Sequence, residues 1–315
     1  MNKIKSLFET SESILILAHV NPDGDAIGSS LSLYNALLNM HYKPDIVIVD
    51  APETFSFLPN FDKIKNETDK EYDLVIVVDT ATLERVGQEE HYFEKAKFTL
   101  NIDHHISNTK YANYNYVSGN IPACCQYLYE IYKELDIEIT KEVAECLVTG
   151  LLTDTGGLQY DNVDTKTFEM AYDLSKKVDI PNIYKKVLAT KTKVQFELEK
   201  IAISRLEFHK DNKIVFTYLT EEDIISQNAK SGDYEGIVNI GREIEYVEVS
   251  IFIREINNAY KVSLRGNGKI NVSEIAKNFG GGGHFNAAGF ETDIDFKELK
   301  DKLIDIISKE LDKNE

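Results

Sequence analysis

The sequence predicts an α/β protein with an N-terminal parallel sheet carrying helices on both faces, a helical linker, and a smaller C-terminal α/β domain. Three observations lead there. Four β-branched apolar runs alternate with helical or polar stretches over the first 105 residues, the pattern of βαβ units. The middle of the chain then takes up helical periodicity, and strand-like runs return only from residue 213. Finally, 315 residues, 43% of them hydrophobic and only 6 prolines, are enough for two packed cores. The expected domains are 1–185 and 209–315, joined by a linker at 186–208.

The first strand is SILILAHV (13–20), and the apolar spacing of AIGSSLSLYNALLNM (26–40) predicts the first helix, so His19, Asp23 and Asp25 fall in a strand-to-helix turn. KPDIVIVD (43–50), YDLVIVVDTA (72–81) and AKFTLNIDHH (96–105) read as the next strands. Helices are expected at 122–136, 140–154, 164–179 and within 181–208, with Pro122 and Pro181 suited to first helical turns. Strands KIVFTYL (213–219), EYVEVSIFIRE (245–255) and AYKVSLRG (259–266) follow, then helices at 271–279 and 295–311.

Composition excludes several classes of function. The balance of 35 basic against 53 acidic residues, a net charge of −18, has the wrong sign for tracking a long phosphate backbone. Small anions stay in play, because a local metal or arginine overrules the global field. Cys124, Cys125 and Cys146 have no CxxC spacing and read as reduced thiols in helices. With no signal-peptide core and no apolar run of membrane-spanning length, a cytoplasmic protein without a membrane partner is expected.

The chemistry concentrates at strand ends. His19, Asp23 and Asp25 follow the first strand, Asp79 ends another, and Asp103, His104 and His105 end the fourth. In open α/β sheets the ligand crevice lies beyond the carboxyl ends of the strands, so these groups should converge. Together with Asp154 in TGLLTDTGGL, the set His19, Asp23, Asp25, Asp79, His104 and Asp154 offers two imidazoles and four carboxylates without a thiolate. That donor set suits Mn²⁺, Mg²⁺ or Fe²⁺. Six ligands exceed the needs of one ion and fit two divalent ions about 3.5–4 Å apart, with Asp79 as the expected bridge. Singly, Asp25 could be only an N-cap and Asp154 a helix-terminal turn residue. Three strand ends delivering ligand types to one edge favour the metal reading.

In the second domain, GGGGHFNAAGF places Gly280, Gly281, Gly282 and Gly283 before His284. Consecutive glycines let the backbone approach an anion and aim N–H groups at it, although a flexible turn would use them too. Arg265, one of few arginines in a lysine-dominated chain, offers a planar fork for phosphate; a surface ion pair is its other use. Arg242 and Arg254 read as structural. Tyr111, Tyr114 and Tyr116 could stack on a base, with packing the commoner role.

HVNPDGDAIGS (19–29), VVDTA (77–81), DHH (103–105) and TGLLTDTGG (149–157), in that order, resemble the four motifs of the DHH phosphoesterases, and residues 263–290 resemble the substrate-binding domain of one branch. The resemblance spans nearly the whole chain. It implies that His19, Asp23 and Asp79 hold one metal and Asp25, Asp79, His104 and Asp154 the second, with Mn²⁺ the first choice of ion. It further implies that Asp103 orients a histidine, that His105 faces the substrate beside Asp79 as a catalytic group, and that Arg265, His284 and Gly280–Gly283 bind it. Arg85 matches a recurring family position. The chain lacks the different C-terminal domain of the pyrophosphatases, the length of the single-strand DNA nucleases and the membrane segments of the anchored signalling enzymes. It resembles the bacterial nanoRNases, which cleave very short RNA to nucleoside 5′-monophosphates and convert 3′-phosphoadenosine 5′-phosphate (pAp) to AMP. A soluble phosphodiesterase acting on linear or cyclic di-AMP is the nearest alternative, and a non-catalytic nucleotide or metal sensor the alternative from another class. Short RNA or nucleotides are thus the expected partners, a homodimer being compatible with the plan.

Overall fold

The computed structural model describes residues 2–230, 232–234 and 236–313, in two compact units, residues 1–190 and 191–315. The first unit runs α1 (Asn2–Thr10), β1 (Ile14–Leu17), α2 (Gly24–Asn39), β2 (Asp45–Val47), β3 (Ile64–Lys65), β4 (Leu74–Val78), α3 (Glu90–Lys95), β5 (Phe98–Asp103), β6 (Tyr114–Val117), α4 (Cys124–Glu134), α5 (Lys141–Asp154), α6 (Thr165–Ser175) and α7 (Ile180–Val187). Its six strands are all parallel, in the order β3-β2-β1-β4-β5-β6. The chain therefore winds outward in both directions from β1 and β4, and the crevice at that switch point opens at their carboxyl ends.

Strand alternation divides the core. Ile14, Ile16, Leu74, Ile76, Leu100 and Ile102 pack with α1, α2, α4 and α5 on one face, while Leu15, Leu17, Val75 and Val77 meet Val86, Tyr92 and Phe93 on the other. The expected parallel sheet with helices on both faces is thus present, and two short strands, β3 and β6, extend it beyond the four legible in the sequence. β6 takes up Tyr114 and Tyr116, which pack against the larger core, and Tyr111 lies against Phe93. α1 was not foreseen, and Pro122 lies outside the first turn, because Ala123 is the N-cap of α4.

α2 and α5 cross closely. A methyl group on Gly28 would stand 2.7 Å from the Cys146 carbonyl oxygen and 2.9 Å from the Gly150 nitrogen. Glycine on both sides of the contact lets the two backbones meet, which brings Asp25 on α2 beside the last turns of α5.

The second unit comprises α8 (Lys193–Ser204), β7 (Glu207–His209), β8 (Ile214–Leu219), α9 (Glu221–Ser226), α10 (Ile237–Arg242), β9 (Val249–Ile256), β10 (Ala259–Gly266), α11 (Val272–Lys277), β11 (Gly282–His284), β12 (Ala287–Thr292) and α12 (Phe296–Lys313). Its mixed sheet runs β11-β12-β10-β9-β8-β7, with only β8 and β9 parallel. Leu264, Ala288 and Ile251 face α11 and α12, whereas Phe252 on the other face packs with Leu198 and Ala202 of α8. The stretch 245–255 begins its strand only at Val249, after α10. The glycine run also departs from expectation: Gly282–His284 forms an edge strand paired with β12. Methyl groups on Gly281 and Gly283 would stand 2.2 and 2.3 Å from the Gly289 and Ala287 carbonyl oxygens, so glycine is what lets this edge lie so close. Among the described residues no helix is long and apolar enough to cross a membrane.

Candidate metal centre

The turn after β1 supplies the first donors. Asp23 is the N-cap of α2, its carboxylate accepting from the Asp25 and Ala26 amides at 3.0 Å, so the capping role considered for Asp25 falls to its neighbour. Asp25 is fully buried in the first turn of α2, and its two oxygens accept from the backbone N–H groups of Cys124 and Cys125 at 2.5 and 3.0 Å. An anion at the N-terminus of α4 is where a helix best tolerates one. Asp79 follows β4 in a left-handed conformation, φ 51°, which a residue other than glycine adopts at a cost of about 1–2 kcal/mol. That bend aims its buried carboxylate at the two histidines.

Around Asp79 the donors converge. His19 Nε2 lies 3.7 Å from Asp79 Oδ2, and His104 Nε2 lies 3.3 Å from both Asp79 Oδ1 and Asp154 Oδ2 and 3.9 Å from Asp25 Oδ2. Three groups bring donor atoms within 4.8 Å of one another: His19, Asp23 and Asp79; Asp25, His104 and Asp154; and Asp79, His104 and His105. The six residues expected as metal ligands therefore meet at one place, Asp79 being common to the first and third groups and His104 to the second and third. The first unit alone contains this cluster; Arg265, His284 and Gly280–Gly283 lie in the second.

Two observations fit this pocket to divalent cations. Asp79 Oδ1 is buried with no hydrogen-bond partner, a costly arrangement unless something positive meets it. Both rings also turn Nδ1 to a backbone carbonyl, His19 to Val20 at 2.9 Å and His104 to Ile121 at 3.1 Å. At His104, hydrogen on Nδ1 leaves the Nε2 lone pair facing the carboxylates, the orientation metal-bound histidines take. In metal-free protein, protons fill the gap. Burial works against charging His104, but Asp79, Asp154 and Asp25 raise it well above its ordinary value. His19 is raised, against its burial, chiefly by Asp79. Burial would push Asp79 up, yet the contacts with His104 and His19 hold it well below the usual carboxylate range. Asp25 and Asp154 are both driven upward, first by burial and then by carboxylate repulsion, Asp25 to about 7. Four carboxylates in one pocket call for more positive charge than two imidazoles provide.

The support around the ligands was only partly foreseen. Asp103, fully buried, accepts from His105 Nδ1 at 2.7 Å and from Asn108 Nδ2 at 2.6 Å. Asn108 also donates to Asn101 Oδ1, and Asn101 to the Val77 carbonyl and the Tyr111 hydroxyl. The sequence held one signal for this layer, an asparagine inside the apolar strand FTLNID. The main-chain contacts to Asp25, His19 and His104 left no such trace. Arg85 lies with Nη2 3.2 Å from His19 Nδ1 and its carbonyl accepting from Val20 N.

In the second unit, Arg265 on β10, Ala287 on β12 and His284 on β11 are in register. Residues in register on adjacent strands project to the same face, so the arginine and histidine flank a small alanine. Gly280 has φ 78°, whereas Gly282 has neither a positive φ nor any atom within 4 Å of a methyl built there. Arg254 stacks on the Tyr234 ring at 4.3 Å, the structural role expected of it.

Residues 13–151 match the DHH family, N-terminal domain, and residues 211–311 match the DHHA1 domain. The bifunctional oligoribonuclease and PAP phosphatase NrnA of Thermus thermophilus is 30% identical over 302 residues, 95% of this chain and 90% of the relative. The protein of the same name from Bacillus subtilis is 27% identical over 293 residues, 90% of either chain. Among solved structures, an exopolyphosphatase-related protein from Bacteroides fragilis superposes with a TM-score of 0.89 at 29% identity, covering 99% of this chain and 95% of the other.

Proposed function

Since the chain belongs to the DHH family and carries a DHHA1 domain, we propose that it is a phosphoester hydrolase that cleaves very short RNA to nucleoside 5′-monophosphates and removes the 3′-phosphate of pAp. The observation that carries this reading is the convergence of His19, Asp23, Asp25, His104 and Asp154 on Asp79, whose buried Oδ1 has no hydrogen-bond partner. His19, Asp23 and Asp79 would hold one divalent ion, and Asp25, Asp79, His104 and Asp154 a second. Bound there, two such ions would supply an activated water and neutralise phosphoryl charge, and the all-nitrogen-and-oxygen donor set favours Mn²⁺.

The protein's own groups do the rest. His105, its Nδ1 hydrogen held by Asp103, presents Nε2; protonated there, it donates to a phosphoryl oxygen or hands its proton to the departing alkoxide. Arg265, His284 and the amides of Gly280–Gly283 bind a second phosphate and orient the nucleotide. The charge of −18 supports short substrates over long strands, and a cytoplasmic location follows from such substrates.

The test is product analysis with metal-stripped protein, with and without added Mn²⁺, on pAp, a diribonucleotide, linear di-AMP, a five-residue RNA and a long single-stranded DNA. Mn²⁺-dependent mononucleotide release from the short RNAs and phosphate release from pAp, both lost in Asp79→Ala, are expected. Turnover of di-AMP alone would move the substrate to signalling dinucleotides, and absence of turnover on every substrate would overturn the hydrolase reading.

A further inference from the structure

Behind His105 lies a buried polar layer that the ligand set does not include. Asn101, Asp103 and Thr80 are all at most 1% exposed. Asn108 ties them together: its amide Nδ2 donates to Asp103 Oδ2 at 2.6 Å, to Asn101 Oδ1 at 2.8 Å and to the Thr80 carbonyl at 3.2 Å, and its Oδ1 accepts from Lys110 N at 2.7 Å. Asp103 has two oxygens, one taken by Asn108 and the other by His105 Nδ1 at 2.7 Å. A carboxylate bound on one side only would be free to rotate about its terminal torsion; bound on both, it has one orientation. Since a carboxylate only accepts, that orientation also fixes which ring nitrogen of His105 carries hydrogen.

We propose that Asn108 is a positioning residue: it locks the Asp103 carboxylate and, through it, the orientation and tautomer of the His105 ring at the metal-ligand cluster. The proposal rests on the reading of His105 as the group that faces the phosphoryl oxygens. It specifies a donor at position 108, not merely a side chain of that size.

Asn108→Asp tests this with almost no change in shape. The aspartate keeps the acceptor for Lys110 N, so the turn retains its contact, but it offers Asp103 a second carboxylate in place of a donor. Asp103→Asn combined with Asn108→Asp restores the pairing in reverse, because the new amide at position 103 could donate to the new carboxylate at position 108 and still accept from His105. The first readout needs no turnover: the hydrogen-bonded imidazole N–H proton of His105, seen by NMR far downfield in metal-stripped protein and assigned by its absence in His105→Gln. We expect it to vanish in Asn108→Asp and return in the double variant. With metal, kcat should fall about 10- to 100-fold in Asn108→Asp, with KM within about twofold and metal stoichiometry unchanged. The double variant should recover about tenfold, the mark of direct coupling in a mutant cycle. Asn108→Ser, which keeps a donor of shorter reach, should lie between wild type and Asn108→Asp, and supplies the comparison if the aspartate variant does not fold.

An N–H signal retained in Asn108→Asp with kcat within twofold of wild type would overturn the proposal. So would a double variant no better than the single one, or a loss of metal in step with activity, which would mark a general collapse. Should the wild-type protein hydrolyse none of the substrates while the N–H signal still follows position 108, the positioning role stands and the hydrolase reading fails.

Discussion

Replacing Gly150 with alanine sets two effects against each other, and the structure decides between them. In the interior of α5, alanine is favoured over glycine by about 1 kcal/mol of helix propensity. The added methyl, however, would stand 2.4 Å from Asp25 Oδ1, 2.3 Å from Cys125 Sγ and 3.1 Å from Asp25 Cα. Ordinary contact is about 3.5–4.0 Å, so two neighbours are overlapped by more than 1 Å. Neither can retreat cheaply, since Cys125 is fully buried and Asp25 is held by the Cys124 and Cys125 amides. Overpacking costs about 1–3 kcal/mol, and loosening a hydrogen bond to a charged group about 1.5–3 more. After subtracting the propensity gain, Gly150→Ala should destabilise the first unit by about 1.5–5 kcal/mol. The assay is urea unfolding, read as a lower midpoint at unchanged slope. Gly232→Ala is the control, because among the described residues no atom beyond its chain neighbours lies within 4 Å of a methyl there. A Gly150→Ala protein within about 0.5 kcal/mol of wild type, the range of neutral surface changes, would refute the steric reasoning.

Three further predictions concern the two units separately. In metal-free protein at neutral pH, Asp154→Asn should raise the melting temperature, since burial and the Asp25 and Asp23 charges disfavour the ionised form; it should also shrink the gain on adding Mn²⁺, which for wild type reaches about 2.7 kcal/mol at one hundred times Kd, both read by thermal shift. In the second unit, Gly282→Ala should leave stability unchanged and raise KM for pAp, while Gly281→Ala should destabilise by prising β11 from β12; a stable Gly281→Ala would contradict the packing. Burial pushes Asp223 up, but the forked contact from Arg205 at 2.5 and 3.0 Å outweighs it and holds the carboxyl low. A depressed carboxyl stabilises the fold above its unfolded value, about 3.9, and loses that contribution as pH falls through its folded value, so Asp223→Asn should flatten the acid limb of stability against pH.

The parts of this protein legible in its sequence are those that repeat with a period or break a pattern. Continuous apolar runs of strand length announced β1, β4 and β5, and the acids and histidines at their ends announced the site, because topology sends those ends to one edge. β3 and β6 escaped notice since two and four residues at a sheet margin carry too little periodicity. The turn before α2 shows another limit: Asp23 and Asp25 are equally good caps by residue type, and only the backbone turn assigns the cap to one and the buried pocket to the other. The four glycines looked alike in sequence, yet Gly281 and Gly283 allow close approach to β12, Gly280 and Gly283 take a positive φ, and Gly282, although part of β11, needs glycine for neither. Such distinctions depend on what lies across the sheet, which no local pattern records.

Most of the candidate ligands are supported by main-chain groups rather than by side chains. Asp25 is held by the amides of Cys124 and Cys125, Asp23 by those of Asp25 and Ala26, His19 by the Val20 carbonyl and His104 by the Ile121 carbonyl. Every residue type except proline brings that amide, and every type brings that carbonyl, so these supports survive substitution wherever the backbone path is kept. The side chains that must not change are then few: the donors themselves, the glycines at the α2–α5 crossing that let the backbones approach, and the Asn101–Asn108–Asp103 layer, where side chains do the holding. Main-chain support of this kind does not depend on which side chain the residue carries. It also predicts where tolerance ends. Cys125→Ser should keep both metal binding and turnover, because the amide that holds Asp25 is retained, whereas Asn108→Asp should keep the metal but lose turnover, because there the side chain itself is the support.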